Sequence, residues 1–146
     1  MNKIKIHFLG ASGTVTGSKF LLETAQKNIL IDCGMFQGIK ELREQNWKDF
    51  PFNVSAIDTV LLTHGHLDHT GYLPRLVKQG FQGTIIGTAP TLEVTKIILL
   101  DSAKIHEEDA ERANKENYTK HKKALPFYTL IDAHRAIKMF KSAQKD

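Results

Sequence analysis

Apolar residues along this chain recur first with a period of two and later with a helical period, so strand-forming stretches precede helix-forming ones. In residues 3–9, Ile4, Ile6 and Phe8 alternate with Lys5 and His7, the pattern of a half-buried strand with His7 pointing outward. Residues 10–17 are rich in glycine, serine and threonine and read as a loop, after which residues 19–23 and 28–32 predict two strands joined by a turn. Residues 57–63 form a continuous apolar stretch, expected to be a strand buried on both faces, that runs directly into a histidine-rich segment at 64–69.

Residues 70–79 predict a short helix capped by Thr70, with Pro74 tolerated near its first turn and Gly80 as its stop. A short strand follows at 84–86. The longest helix is expected over 90–117, with Leu92, Ile98, Leu99 and Ile105 as its apolar stripe and a solvated far end around 107–111. Thr129 and Asp132 have the spacing of a capping box, opening a last helix that continues through Ile137, Met139 and Phe140. Strands followed by helices, without repeats or a linker, indicate one mixed α/β or α+β domain over residues 1–146.

The 146 residues are 41% hydrophobic and 25% charged, a composition that excludes disordered and collagen-like chains. No apolar run approaches the ~18 residues of a membrane span, and the N-terminus lacks a signal-peptide core, so a soluble cytoplasmic protein without a membrane partner is expected. The lone Cys33 fits a reducing compartment and reads as a small core residue. The net charge of +4 is uneven: residues 1–111 carry 11 Lys/Arg against 13 Asp/Glu, whereas residues 112–146 carry 9 against 3. Lys115, Lys120, Lys122 and Lys123 beside Tyr118 suit either a nucleic-acid backbone or a plain solvated surface.

The chemistry concentrates in Thr63-His64-Gly65-His66-Leu67-Asp68-His69-Thr70-Gly71. Residues two apart do not share a helix face, so His64 and His66 can converge only in a loop at a sheet edge. Imidazole and carboxylate donors suit zinc, though iron and manganese accept the same set. Four ligands in six residues exceed what one open tetrahedral ion uses, which suggests two ions: His64 and His66 on one, Asp68 and His69 on the other. The loop around Gly17-Ser18-Lys19 lacks the Gly-Lys-Ser/Thr ending of a nucleotide-binding loop.

The segment 64–69 carries the HxHxDH motif without departure and resembles the metallo-β-lactamase-fold hydrolases. Leu9-Gly10 with Val15-Thr16-Gly17-Ser18, and Ile31-Asp32-Cys33-Gly34-Met35-Phe36-Gln37-Gly38, resemble the opening of the β-CASP branch, which includes ribonuclease J-like enzymes and the endonuclease of mRNA cleavage and polyadenylation. Pro90-Thr91-Leu92, Leu99-Leu100-Asp101-Ser102 and Pro126-Phe127-Tyr128-Thr129 with Asp132 follow that pattern more softly. The resemblance implies the first half of an αββα sandwich and two Zn2+ ions held by His64, His66, Asp68 and His69. Asp32 would support the loop by hydrogen bonding, and a metal-bound hydroxide would cleave RNA phosphodiesters by exo- or endonucleolytic action, with Asp68 accepting a proton.

The family's later ligands and its β-CASP insertion are not found in residues 1–146. His106, His121 and His134 lack the glycine-flanked setting of a ligand. The chain is therefore expected to be the N-terminal portion of a longer enzyme, inactive alone, with an empty or partly filled site and an uncovered apolar face prone to self-association. Two rivals stand: a hydrolase of small thioesters or esters on the same fold, and a non-catalytic metal-binding or assembly module.

Overall fold

The computed structural model describes residues 3–116 and 123–144. Six strands lie in one sheet in sequence order: β1 (Lys5–Gly10), β2 (Lys19–Glu23), β3 (Asn28–Ile31), β4 (Thr59–Leu61), β5 (Thr84–Gly87) and β6 (Phe140–Ser142). The first three pair antiparallel, and β3 through β6 pair parallel. Each parallel pair is joined by a crossover containing helix: α1 (Lys40–Gln45) before β4, α2 (Leu67–Thr70) and α3 (Leu73–Lys78) before β5, α4 (Ala89–Lys115) and α5 (Leu130–Ile137) before β6. No helix is long and apolar enough to cross a membrane.

Cross-strand partners share a face. The row Leu21, Leu30, Val60 and Ile85 is fully buried and forms one core with Leu73 and Leu76 of α3, Leu92 and Leu99 of α4, and Ala133 and Ala136 of α5. All the helices that reach this core cover that one side. The neighbouring rows, Ile6 with Leu22 and Ile29, and Phe8 with Phe20, Ile31 and Leu61, point the other way, where no described element covers them. Ile4, Ile6, Phe8 and Leu61 are accordingly 67%, 57%, 65% and 38% exposed.

This corrects two sequence expectations. The apolar side of β1 is its uncovered side. His7 instead lies half-buried toward Phe52, its Nε2 2.9 Å from Glu23 Oε2. The 57–63 stretch is buried at Ile57, Val60 and Leu62 but not on both faces, because Leu61 projects to the bare side.

Helix ends follow local chemistry. Thr88 caps α4 with Pro90 in the first turn, and Thr129 and Asp132 complete the expected capping box of α5. The buried stripe of α4 is Leu92, Thr95, Leu99, Ser102, Ala103 and Ala110, whereas Ile105 is exposed; small residues let the helix lie close to its neighbours. The expected helix at 70–79 is divided at Gly71 and Tyr72. Thr70 closes α2 rather than capping α3, and Gly80, at φ +110°, follows the end of α3. The last helix stops at Ile137, and Phe140 pairs with Ile85 as a strand because Met139 N–H donates to Ala136 and Ile85 N–H takes up the Met139 carbonyl.

Candidate metal centre

The parallel strands β3 and β4 end side by side, and in such sheets the carboxyl ends of the strands open onto the ligand crevice. The Ile31↔Leu61 register places Asp32 beside Thr63, with Asp32 N–H donating to the Leu61 carbonyl at 2.8 Å. Asp32 is buried and adopts φ +57°, a left-handed conformation that aspartate tolerates better than most residues and that recurs at functional sites. Its carboxylate accepts three hydrogen bonds: Thr63 N–H to Oδ1 at 2.8 Å, Thr63 Oγ1–H to Oδ2 at 2.7 Å, and His69 Nδ1–H to Oδ2 at 2.7 Å.

After β4 the chain turns through His64 and Gly65 into α2, with His66 as its N-terminal flanking residue. His69 and Thr70 N–H both donate to the His66 carbonyl, and the Thr70 hydroxyl donates to it at 3.0 Å. This tight turn brings the three imidazoles together: His64 lies 4.0 Å from His69 and 4.7 Å from His66, centroid to centroid. Asp68 Oδ2 is 3.4 Å from His69 Nε2. His64, Asp68 and His69 are half-buried, and His66 is exposed.

The loop rests on main chain. Ser18 N–H donates to the Asp68 carbonyl, Cys33 N–H to that of His69, and Met35 N–H to that of Leu67; Tyr72 N–H donates back to Cys33. A Cβ at Gly34 would lie 1.6 Å from the Asp68 carbonyl oxygen, so only glycine permits this approach. Beneath it Lys19 is buried with Nζ donating to the Gly34 carbonyl, between the rings of Phe36 at 4.6 Å and Tyr72 at 4.7 Å. Burial pulls this ammonium down to about 8 and, with Cys33 fully enclosed, pushes that thiol up to about 12, which leaves Cys33 an inert core residue.

The four motif side chains and Asp32 thus meet at one strand end. Their donors are the nitrogen and oxygen set that zinc takes, and two donors each about 2.1 Å from one tetrahedral zinc lie about 3.4 Å apart, the spacing of Asp68 and His69. Among the described residues no three such side chains stand close enough together to hold an ion as they are, so the fit rests on donor chemistry and on this pair.

The other histidines lie elsewhere. His106 contacts Ser102, Phe127 and Tyr128, where burial lowers its pKa, and His134 is exposed on α5; His121 lies outside the described residues, as do Tyr118, Lys120 and Lys122 of the basic stretch. Thr63, Gly34 and Lys19 lie outside the ligand spacing of the motif, and the glycine two residues after Asp32 is the one signal of them in the sequence.

Residues 13–122 match the sequence profile of the Metallo-beta-lactamase superfamily. The chain is 44% identical over 99 residues to Ribonuclease TTHA0252 of Thermus thermophilus, a match covering 68% of this chain and 22% of that protein. It is 30% identical over 142 residues to Transcription termination factor FttA of Methanococcus maripaludis, covering 93% of this chain and 22% of that one. The chain therefore spans about a fifth of the length of these relatives. Among solved structures, the subclass B3 metallo-beta-lactamase MEM-A1 from a soil metagenome library superposes with a TM-score of 0.49 at 17% identity, over 95% of this chain and 43% of that one. With the profile matched across most of its length, HxHxDH segment included, this chain belongs to the Metallo-beta-lactamase superfamily.

Proposed function

We propose that this chain supplies the first metal-holding loop of an RNA-cleaving phosphodiester hydrolase of the β-CASP branch. His64 and His66 would hold one divalent ion and Asp68 and His69 a second, with Asp32 fixing the loop. The observation that carries this reading is the meeting of three imidazoles and the Asp68 carboxylate above the buried Asp32, in a chain similar to a protein named as a ribonuclease.

When bound, zinc or a similar ion supplies Lewis acidity toward water and phosphate oxygens. The chain's own residues do the rest. Asp32 keeps the proton of His69 on Nδ1 and so presents Nε2 as the free donor atom. Asp68, half-buried and 3.4 Å from that nitrogen, would accept a proton from water during cleavage. The enclosed Cys33, its thiol held protonated by burial, takes no part as a nucleophile. Its single buried thiol also agrees with action in the reducing cytoplasm. Taken by itself, the chain self-associates through the bare sheet face around Ile6, Phe8 and Leu61, where water penalises exposed apolar area.

The test offers the full-length protein 5′-labelled RNA beside a chromogenic ester, with metal content measured by mass spectrometry for the native protein and His66→Ala. RNA cleavage with lost metal in the variant is expected. Turnover of the ester alone indicates a small-molecule hydrolase, and bound metal without any turnover indicates a binding module; either result overturns the nuclease reading.

A further inference from the structure

The geometry points to Thr63 as a positioning residue that sets the tautomer of His64, passing the influence of Asp32 to a second imidazole. Thr63 Oγ1 lies 2.7 Å from Asp32 Oδ2 and 3.0 Å from His64 Nδ1. A hydroxyl has one proton to donate, and an ionised carboxylate can only accept. At 2.7 Å from an oxygen that has no proton to give, the hydroxyl must supply the proton of that contact, so it goes to Oδ2, beside the bonds Asp32 accepts from Thr63 N–H and His69 Nδ1–H. The oxygen lone pairs then face His64 Nδ1, and that 3.0 Å contact is favourable only if Nδ1 carries the ring proton.

His64 Nε2 is consequently left unprotonated. The same carboxylate oxygen thus acts on His69 directly and on His64 through one intervening hydroxyl, giving both rings the same tautomer. Asp32 and Thr63 form a two-branched device in which a single buried charge prepares two nitrogen donors. The packing of His64 against the rings of His66 and His69 holds it to this orientation. Thr63 is exposed, so replacing it disturbs no core packing.

The tautomer follows from hydrogen bonding alone, while its consequence for metal rests on the function proposed above. The experiment records long-range proton–nitrogen correlations of the histidine rings in the metal-free, 15N-labelled full chain, for the native protein, Thr63→Ser and Thr63→Val. His64 is expected as the Nδ1–H form in the native protein and in Thr63→Ser, and to shift toward the Nε2–H form in Thr63→Val. Zinc affinity, titrated by competition with a chromophoric chelator, is expected to fall about 10–100-fold in Thr63→Val and to be recovered to within about threefold in Thr63→Ser.

A native His64 in the Nε2–H form overturns the assignment without recourse to any variant, and so does a Thr63→Val protein whose tautomer is unchanged. An Nδ1–H His64 in a protein that binds no zinc leaves the relay standing and removes the metal reading instead.

Discussion

On the helix side of the sheet Leu21, Leu30, Val60 and Ile85 are fully enclosed, whereas one residue further along the same strands Leu22, Ile31, Leu61 and Ile86 face no described helix. Both faces are built from aliphatic residues. Alternation in a strand therefore reports a period of two and says nothing about which side is covered, since moving by one residue exchanges the faces. On β1 the more apolar side, Ile6 and Phe8, is the bare one, and the side with His7 is the packed one.

The contrast predicts a graded series of effects. Leu30→Ala, in the enclosed row, should cost about 2–5 kcal/mol of unfolding free energy in urea titrations, because the surrounding helices cannot collapse onto the gap. A loss below about 1 kcal/mol would mean that the helix side is not a packed core.

Lys19 is the polar intruder on that enclosed side, and its ammonium titrates near 8 instead of 10.5. Between those values the unfolded chain binds more protons than the folded one, so the contribution of this lysine to unfolding free energy rises with pH across that window, by up to about 3 kcal/mol. Measured at about pH 7.5 and about pH 10, the difference between native protein and Lys19→Met should move in favour of the native protein as pH rises. A constant difference would show that the amine is not buried.

Thr129→Ala removes the hydroxyl that accepts from Asp132 N–H at the start of α5, a helix that packs against α3 and α4 and joins the core through Ala133 and Ala136. A loss of about 1 kcal/mol is expected in thermal unfolding. On the bare face, Phe8→Ser combined with Leu61→Ser should change unfolding free energy by less than about 0.5 kcal/mol per site. The same pair should lower self-association in sedimentation velocity, and a large destabilisation would show that something covers that face.

Much of this architecture is written in local signals. The Lys19–Glu23 strand, the Thr129 and Asp132 capping box, and the stop at Gly80 each follow from neighbouring residues. What escapes the sequence is set at a distance. The helix α1 has no buried residue and hence no apolar period to detect, and β6 is three residues long and exists through pairing with β5. The stripe of α4 runs through Thr95, Ser102 and Ala103, which a search for large apolar residues passes over. At the site, the spacing of His64, His66, Asp68 and His69 is visible because it is local. Thr63, Gly34 and Lys19 matter through contacts with segments fifteen or more residues away, which periodicity does not carry.

The abutment of Gly34 on the Asp68 carbonyl has a broader consequence. The histidine-bearing loop is docked by peptide groups from Ser18, Cys33 and Met35, and peptide groups are common to every amino acid. The seat and its occupants are therefore separable. Side chains on the outer rim can be exchanged for donors of another hardness, or for none, while the backbone beneath keeps its course, so one scaffold can pass from one reaction to another by changing its rim alone.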